Sequence, residues 1–259
     1  MRVDQKRTII NNNGKMMGSG NGVMPHYPDE WHQSWNGNVN FPEPPANSVL
    51  YLPGNPGTGT AIKDYSGNGN DGAITGAIWR RLPSGLWYIS NDGIDDHTDN
   101  ASPTGLDITS GGLHVSIWVR RTLDTNRDEV SDGILSYGGL DTGGYSIFIQ
   151  TDNKFSFRTW NVSASNLAAD SAATANTWYH VAGDHDGTTQ RLYINGVEQA
   201  ATSEVAMPAT ITTSLEIGRW AELNTRDFGG HWCLPRILNA SNTSLASQCF
   251  QNERYLFGV

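Results

Sequence analysis

The chain has 259 residues, of which 37% are apolar and 17% charged, with 29 glycines and 9 tryptophans. A formal net charge of -9 without a basic cluster removes the electrostatic footprint that nucleic-acid binding requires. No window approaches the ~18 consecutive apolar residues of a membrane-inserted helix, and two cysteines are too few for a disulfide framework or a four-ligand zinc site.

Residues 1–46 are rich in Asn, Gly, Met and Pro and end in the run Phe41-Pro42-Glu43-Pro44-Pro45. Without sustained periodicity such a segment buries too little apolar surface to offset its ordering entropy. It nevertheless carries Trp31, Trp35 and Phe41, which a solvated linker rarely spends. It therefore reads as an extended N-terminal arm, docked either on another subunit or back on its own domain. The first residues are charged, with no apolar core and no small-residue cleavage site, so no signal peptide and assembly in the cytoplasm are expected.

From Ser48 onward the pattern is all-β. Strands are predicted near 48–52, 74–80, 85–90, 113–121, 133–137, 144–150, 153–160, 177–184, 189–195, 213–219 and 230–238. Clusters such as Asn55-Pro56-Gly57, Asp141 to Gly144 and Asp186-Gly187 separate them. In Leu113 to Val119, Leu, Val, Ile and Val share one face while His114, Ser116 and Trp118 share the other. In Trp178 to Gly183 the same alternation sets Trp178, His180 and Ala182 against Tyr179, Val181 and Gly183. After a polar turn and the strand Arg191 to Ile194 comes Asn195-Gly196, the dipeptide that best tolerates positive φ in a tight hairpin. Such hairpins need a second sheet over their apolar face, which predicts a sandwich. Pro235 suits an edge strand or a bulge. One short helix is predicted near the end, capped by Ser241 or Thr243 and running through Glu253, with Tyr255 to Val259 tucked in. Cys233 and Cys249 read as half-buried thiols, a single disulfide being the alternative.

Six pieces in sequence order carry a family resemblance: DYSGNGNDGAITG (64–76), ISNDGIDDH (89–97), LDITSGGLHVSIWVRR (106–121), the 178–196 hairpin, LEIGR (215–219) and FGG…PRILNASNTS (228–244). Over about residues 46–259 the chain resembles the laminin-G-like, concanavalin-A-like jelly-roll family. The resemblance implies a two-sheet antiparallel jelly-roll sandwich over 47–259, preceded by the arm of 1–46. Ser90, Asn91 and His97 stand where the family pattern has apolar or aromatic residues. Cys233 replaces the family's aspartate before the last strand, so that carboxylate's calcium or packing role does not carry over.

Relatives often bind calcium, and two glycine-bearing turns hold suitable oxygens: Asp64, Asn68 and Asn70 in one, Asp92, Asp95 and Asp96 in the other. Ordinary turn hydrogen bonding is the competing role for all six. For carbohydrate, an exposed aromatic face with nearby amides and a cation is expected from Trp160, Asn161, Trp220, Asn224 and Arg226. Paired glycosidase acids on one strand are absent among the glutamates, and Asp184 and Asp186 fall at a turn, so a non-enzyme is expected. The leading expectation is a structural or attachment component of a multisubunit particle, such as a phage virion decoration, fibre or tail-associated protein displayed on the particle surface. Its partners would be other protein subunits or further copies of itself. A calcium-dependent lectin-like module and a glycoside hydrolase of the same sandwich class are the alternatives.

Overall fold

The computed structural model describes residues 44–122, 131–138, 143–160, 164–221 and 226–259, together with four two-residue strands near the N-terminus. Those four are β1 (Ile9–Ile10), β2 (Met16–Met17), β3 (Trp31–His32) and β4 (Phe41–Pro42); β1 pairs β2 and β3 pairs β4. The body follows with β5 (Ser48–Tyr51), β6 (Ala61–Ile62), β7 (Gly72–Thr75), β8 (Ile78–Arg81), β9 (Trp87–Asp92), β10 (His97–Asn100), β11 (Leu113–Arg121), β12 (Asp132–Tyr137) and β13 (Gly144–Ile149). It ends with β14 (Phe155–Trp160), β15 (Ala164–Ala168), β16 (Trp178–His185), β17 (Thr189–Ile194), β18 (Val197–Glu204), β19 (Leu215–Ile217), β20 (Gly229–Leu238) and the helix α1 (Leu245–Phe257).

Two antiparallel sheets result, as expected of a jelly-roll sandwich. The first runs β15-β14-β13-β12-β19-β10-β7-β6; the second runs β18-β17-β16-β11-β20-β9-β8, with β5 also pairing β20. Because side chains alternate along a strand, paired residues share a face and form cross-strand rows. In the first sheet one row reads Ile74, Thr98, Ile217, Leu135, Ile147, Phe157 and Leu167. All but Thr98 belong to the main core, where they meet Leu113, Val115, Ile117 and Val119 of β11, Val181, Leu192, Trp232 and Ile237. Each fully buried side chain of this size contributes about 1.5–3 kcal/mol, which makes this layer the principal source of stability.

The opposite face of the second sheet is not left to water. Trp118, Trp178 and Leu234 pack with Leu256 and Phe257 of α1, and the Trp118 and Phe257 rings stack at 3.9 Å. The helix begins after Ser244, which makes no side-chain cap bond; Asn242 Oδ1 instead accepts the Leu245 amide at 3.1 Å. It ends at Gly258, whose φ of 71° is left-handed. The predicted caps Ser241 and Thr243 thus give way to Asn242, and the helix continues past Glu253 to bury the tail.

Several predicted elements are corrected. The run 74–80 is two strands parted at Gly76 (φ 71°). β6, β10, β15 and β18 were not anticipated. Pro235 lies in a central strand, so of edge and bulge the bulge is the answer: Leu234 has φ 51°, and the register with β11 shifts there. β20 pairs β9 before the bulge and β5 after it, so the missing amide of Pro235 falls where the partner changes. Both cysteines are free and buried, which removes the disulfide alternative.

Candidate functional site: the outer face of the first sheet

One register position from the core row, the first sheet carries its opposite. Asp99 pairs Glu216, Glu216 pairs Ser136, Ser136 pairs Ser146, Ser146 pairs Arg158 and Arg158 pairs Asn166. The same alternation that sends the neighbouring row inward puts these six side chains on the outer face. Two carboxylates stand at one end of the stripe, half-buried Asp99 and buried Glu216; two fully buried hydroxyls lie in the middle, and the half-buried Arg158 guanidinium and the exposed Asn166 amide stand at the other end.

Aromatic rings flank the cationic end. The Arg158 guanidinium lies 5.0 Å from the Phe148 ring centre, 5.1 Å from Trp160 and 6.0 Å from Trp220. Phe148 and Trp220 are 5.0 Å apart, and Trp160 and Trp220 meet edge to face at 5.6 Å. Phe148 and Trp160 occupy the outer rows on either side of Arg158, so register alone brings them to it. Trp220 arrives differently, because the chain after β19 crosses over Gly133. A Cβ at Gly133 would overlap the Arg219–Trp220 peptide, so only glycine admits that crossing. Trp220 Nε1 then donates to Ser131 O at 3.1 Å. Ser146 Oγ, Ser156 Oγ and Trp160 Nε1 are buried without a hydrogen-bond partner beneath this face. At the acidic end, Glu216 accepts from Ser214 Oγ at 2.8 Å and Arg219 Nε at 3.0 Å.

The structure thus unites Trp160 and Trp220 but covers both, each being 1% exposed, so they do not offer the open stacking platform expected of them. Arg226 contributes its backbone, its carbonyl accepting from Gly133 N at 3.1 Å. Asn161 and Asn224 lie outside the described residues, as do Trp35 and the side chains of Trp31 and Phe41. Phe148, Arg158, Ser146, Glu216, Asp99 and Asn166 were missed. The signal was present in FSFRTW, whose alternation sends Phe155 and Phe157 inward and Ser156, Arg158 and Trp160 outward.

The two calcium candidates part company. Asp64 Oδ1 accepts the Tyr51 and Ser66 amides, both at 2.9 Å, and Oδ2 accepts Ser66 Oγ at 2.7 Å and the Asn70 amide at 2.9 Å. Its four acceptor positions are taken. Asn68 and Asn70 spend their amide groups on the Ser48, Val49 and Thr104 carbonyls. This turn acts as a backbone staple, the turn hydrogen-bonding role that competes with cation binding there. Asp92, Asp95 and Asp96 instead bring carboxylate oxygens within 4.8 Å of one another. Burial, then repulsion from Asp92 and Asp95, raises the Asp96 carboxyl; burial raises Asp227, whose Oδ1 is enclosed without a partner and which also feels Asp95 and Asp92. Asp96 Oδ2 accepts the Asp92 amide and Asp92 Oδ1 the Ile94 amide, both at 2.8 Å, and the crowded carboxylates that remain beside them fit a hard cation.

Asp184 and Asp186 form no catalytic pair. Asp184 lies inside the second sheet's covered face against His114 (3.1 Å) and Ser241 (2.6 Å). Asp186 is held far below the usual carboxylate range by Arg191, then by the Thr189 amide.

A family profile described as the concanavalin A-like lectin/glucanases superfamily matches residues 92–243. The chain belongs to that superfamily. The laminin-G-like resemblance in its sequence motifs therefore holds. A comparison with curated proteins finds no match. Among solved structures, this superfamily member is similar to the binding domain of Paraclostridial Mosquitocidal Protein 1, with 17% identity, a TM-score of 0.63, and coverage of 79% of this chain and 52% of that one. It is similar to the receptor binding domain of botulinum neurotoxin C/D mosaic serotype at 13% identity and TM-score 0.61, covering 80% and 51%. A third similar structure is the botulinum neurotoxin serotype D ligand binding domain in complex with N-acetylneuraminic acid, at 13% identity and TM-score 0.64, covering 80% and 51%. The chain spans about half the length of these solved chains, and at such identities the likeness speaks for the fold. Among the described residues no helix is long and apolar enough to cross a membrane.

Proposed function

We propose that this chain is a non-enzymatic carbohydrate-binding attachment domain that engages glycans through the outer face of the first sheet. The observation that carries the reading is the polar stripe from Asp99 to Asn166 beside Phe148, Trp160 and Trp220. The exposed Asn166 and the half-buried Arg158 and Asp99 are the members of the stripe a sugar can reach, an amide, a guanidinium and a carboxylate on a rigid sheet that can orient it; Ser136, Ser146 and Glu216 are buried beneath them. The aromatic cluster fixes the position of the cation. The structural neighbour solved with N-acetylneuraminic acid supports an acidic sugar as the first ligand to test, with Arg158 as its counter-charge. The full chain is to be applied to an array of sialylated and neutral glycans. Binding to at least one class is expected, and no binding with or without calcium rejects the reading.

A structural calcium ion belongs to the same proposal, held by Asp92, Asp95 and Asp96 near the acidic end. The ion would bind these carboxylates together and relieve their mutual repulsion.

The arm supports a second part of the reading, attachment to a larger assembly such as a phage virion through other subunits or further copies of this chain. Burying Trp31, Trp35 and Phe41 against a neighbour would contribute about 1.5–3 kcal/mol each. Residues 47–259 alone are expected to assemble less well than the full chain; equal assembly would remove the arm from the account.

A further inference from the structure

On the far side of the molecule, between the second sheet and α1, lies an enclosed polar cluster that sugar binding does not use. β16 turns Trp178, His180, Ala182 and Asp184 toward the helix, and α1 turns Cys249 and Glu253 back toward the sheet. Four residues apart, Cys249 and Glu253 share one helix face. His180 is 0% exposed, and neither of its ring nitrogens has a hydrogen-bond partner. A ring nitrogen of His180, Cys249 Sγ and a Glu253 oxygen all lie within 4.8 Å of one another.

We propose that His180, Cys249 and Glu253 form a structural zinc site clamping α1 to the second sheet. A fully buried imidazole with both nitrogens unpaired calls for a partner absent from the protein itself. With neither nitrogen engaged by the protein, the ring has a lone pair to offer a metal. Imidazole, thiolate and carboxylate from three side chains make a borderline donor set that suits Zn2+ rather than Ca2+ or Mg2+. Glu253 is already oriented, with Trp118 Nε1 donating to Oε2 at 2.7 Å and Arg236 bonded to Oε1. Such outer contacts fix a ligand's geometry. A thiol binds zinc as thiolate, so zinc displaces the Cys249 proton: the S–H bond breaks, an S–Zn bond forms, and the proton leaves to solvent with no change of oxidation state.

The test uses untagged full-length protein, stripped with chelator and reloaded with zinc or cobalt. One metal per chain is expected, and the cobalt form should show a thiolate-to-metal charge-transfer band that Cys249→Ser and His180→Gln lose. No uptake by the wild type, or an unchanged band in Cys249→Ser, overturns the proposal. X-ray absorption of the zinc-loaded wild type needs no variant. Sulfur at about 2.3 Å and imidazole nitrogen at about 2.0 Å support the site, and an all-oxygen shell refutes it.

Discussion

Arg236 and Glu253 form an ion pair sealed between the second sheet and α1, their side chains 1% and 2% exposed. Arg236 also lies 5.0 Å over the Tyr51 ring, so the pair joins β5, β20 and the helix. Removing one partner strands the other charge in an apolar enclosure, which typically costs about 3–5 kcal/mol. Glu253→Gln is expected to lose stability of that order in urea denaturation. Loss below about 1 kcal/mol would mean that the helix opens without global unfolding.

Gly133 is expected to tolerate no side chain. Gly133→Ala should cost about 1–3 kcal/mol, the usual range for overpacking, and should shift tryptophan fluorescence because Trp220 must move. A neutral outcome would show that the chain crossing over Gly133 is looser than described.

His231 predicts an acid sensitivity. Burial, then Arg120, depresses its pKa to about 4 from the ordinary 6.5. The unfolded chain therefore takes up this proton at higher pH than the folded one. Stability from this residue is fully present above about pH 6.5 and lost as pH falls toward 4. Asp96 and Asp227, with raised carboxyls, oppose the trend. Thermal melts of His231→Gln should decline less steeply across this window than those of the wild type. Parallel slopes would contradict the assignment.

The two acidic turns should answer calcium differently. Calcium is expected to raise the melting temperature of the wild type but not of Asp95→Asn. Asp64→Asn should lower stability, since four donors converge on Asp64, while keeping the calcium response. A response that vanishes with Asp64→Asn would reverse the assignment.

What was legible follows a physical pattern. β11, β16 and the Asn195-Gly196 turn were read correctly because each strand alternates apolar core residues with a distinct second set, and the turn needs positive φ, here 52° and 75°. β18 was missed because it is an edge strand with little buried surface, so Val197–Glu204 carries no apolar alternation. β10, His97–Asn100, is polar because its outer face belongs to the stripe. Arg158 was passed over as one charged residue between Phe157 and Thr159. Its meaning comes from Phe148 on the next strand and from Trp220, brought by a chain crossing that only Gly133 permits. The His180 cluster joins a strand to a helix 69 or more positions away in sequence, a proximity that periodicity cannot show.

The central claim is that the outer stripe binds sugar. Titration of the full chain with a sialylated oligosaccharide tests it most directly, comparing the wild type with Asn166→Ala and Arg158→Gln by calorimetry. The account predicts measurable binding that weakens at least tenfold, about 1.4 kcal/mol, in Arg158→Gln and more modestly in Asn166→Ala. Both variants should keep wild-type melting curves to within a few degrees. Binding of equal strength in all three proteins would contradict it.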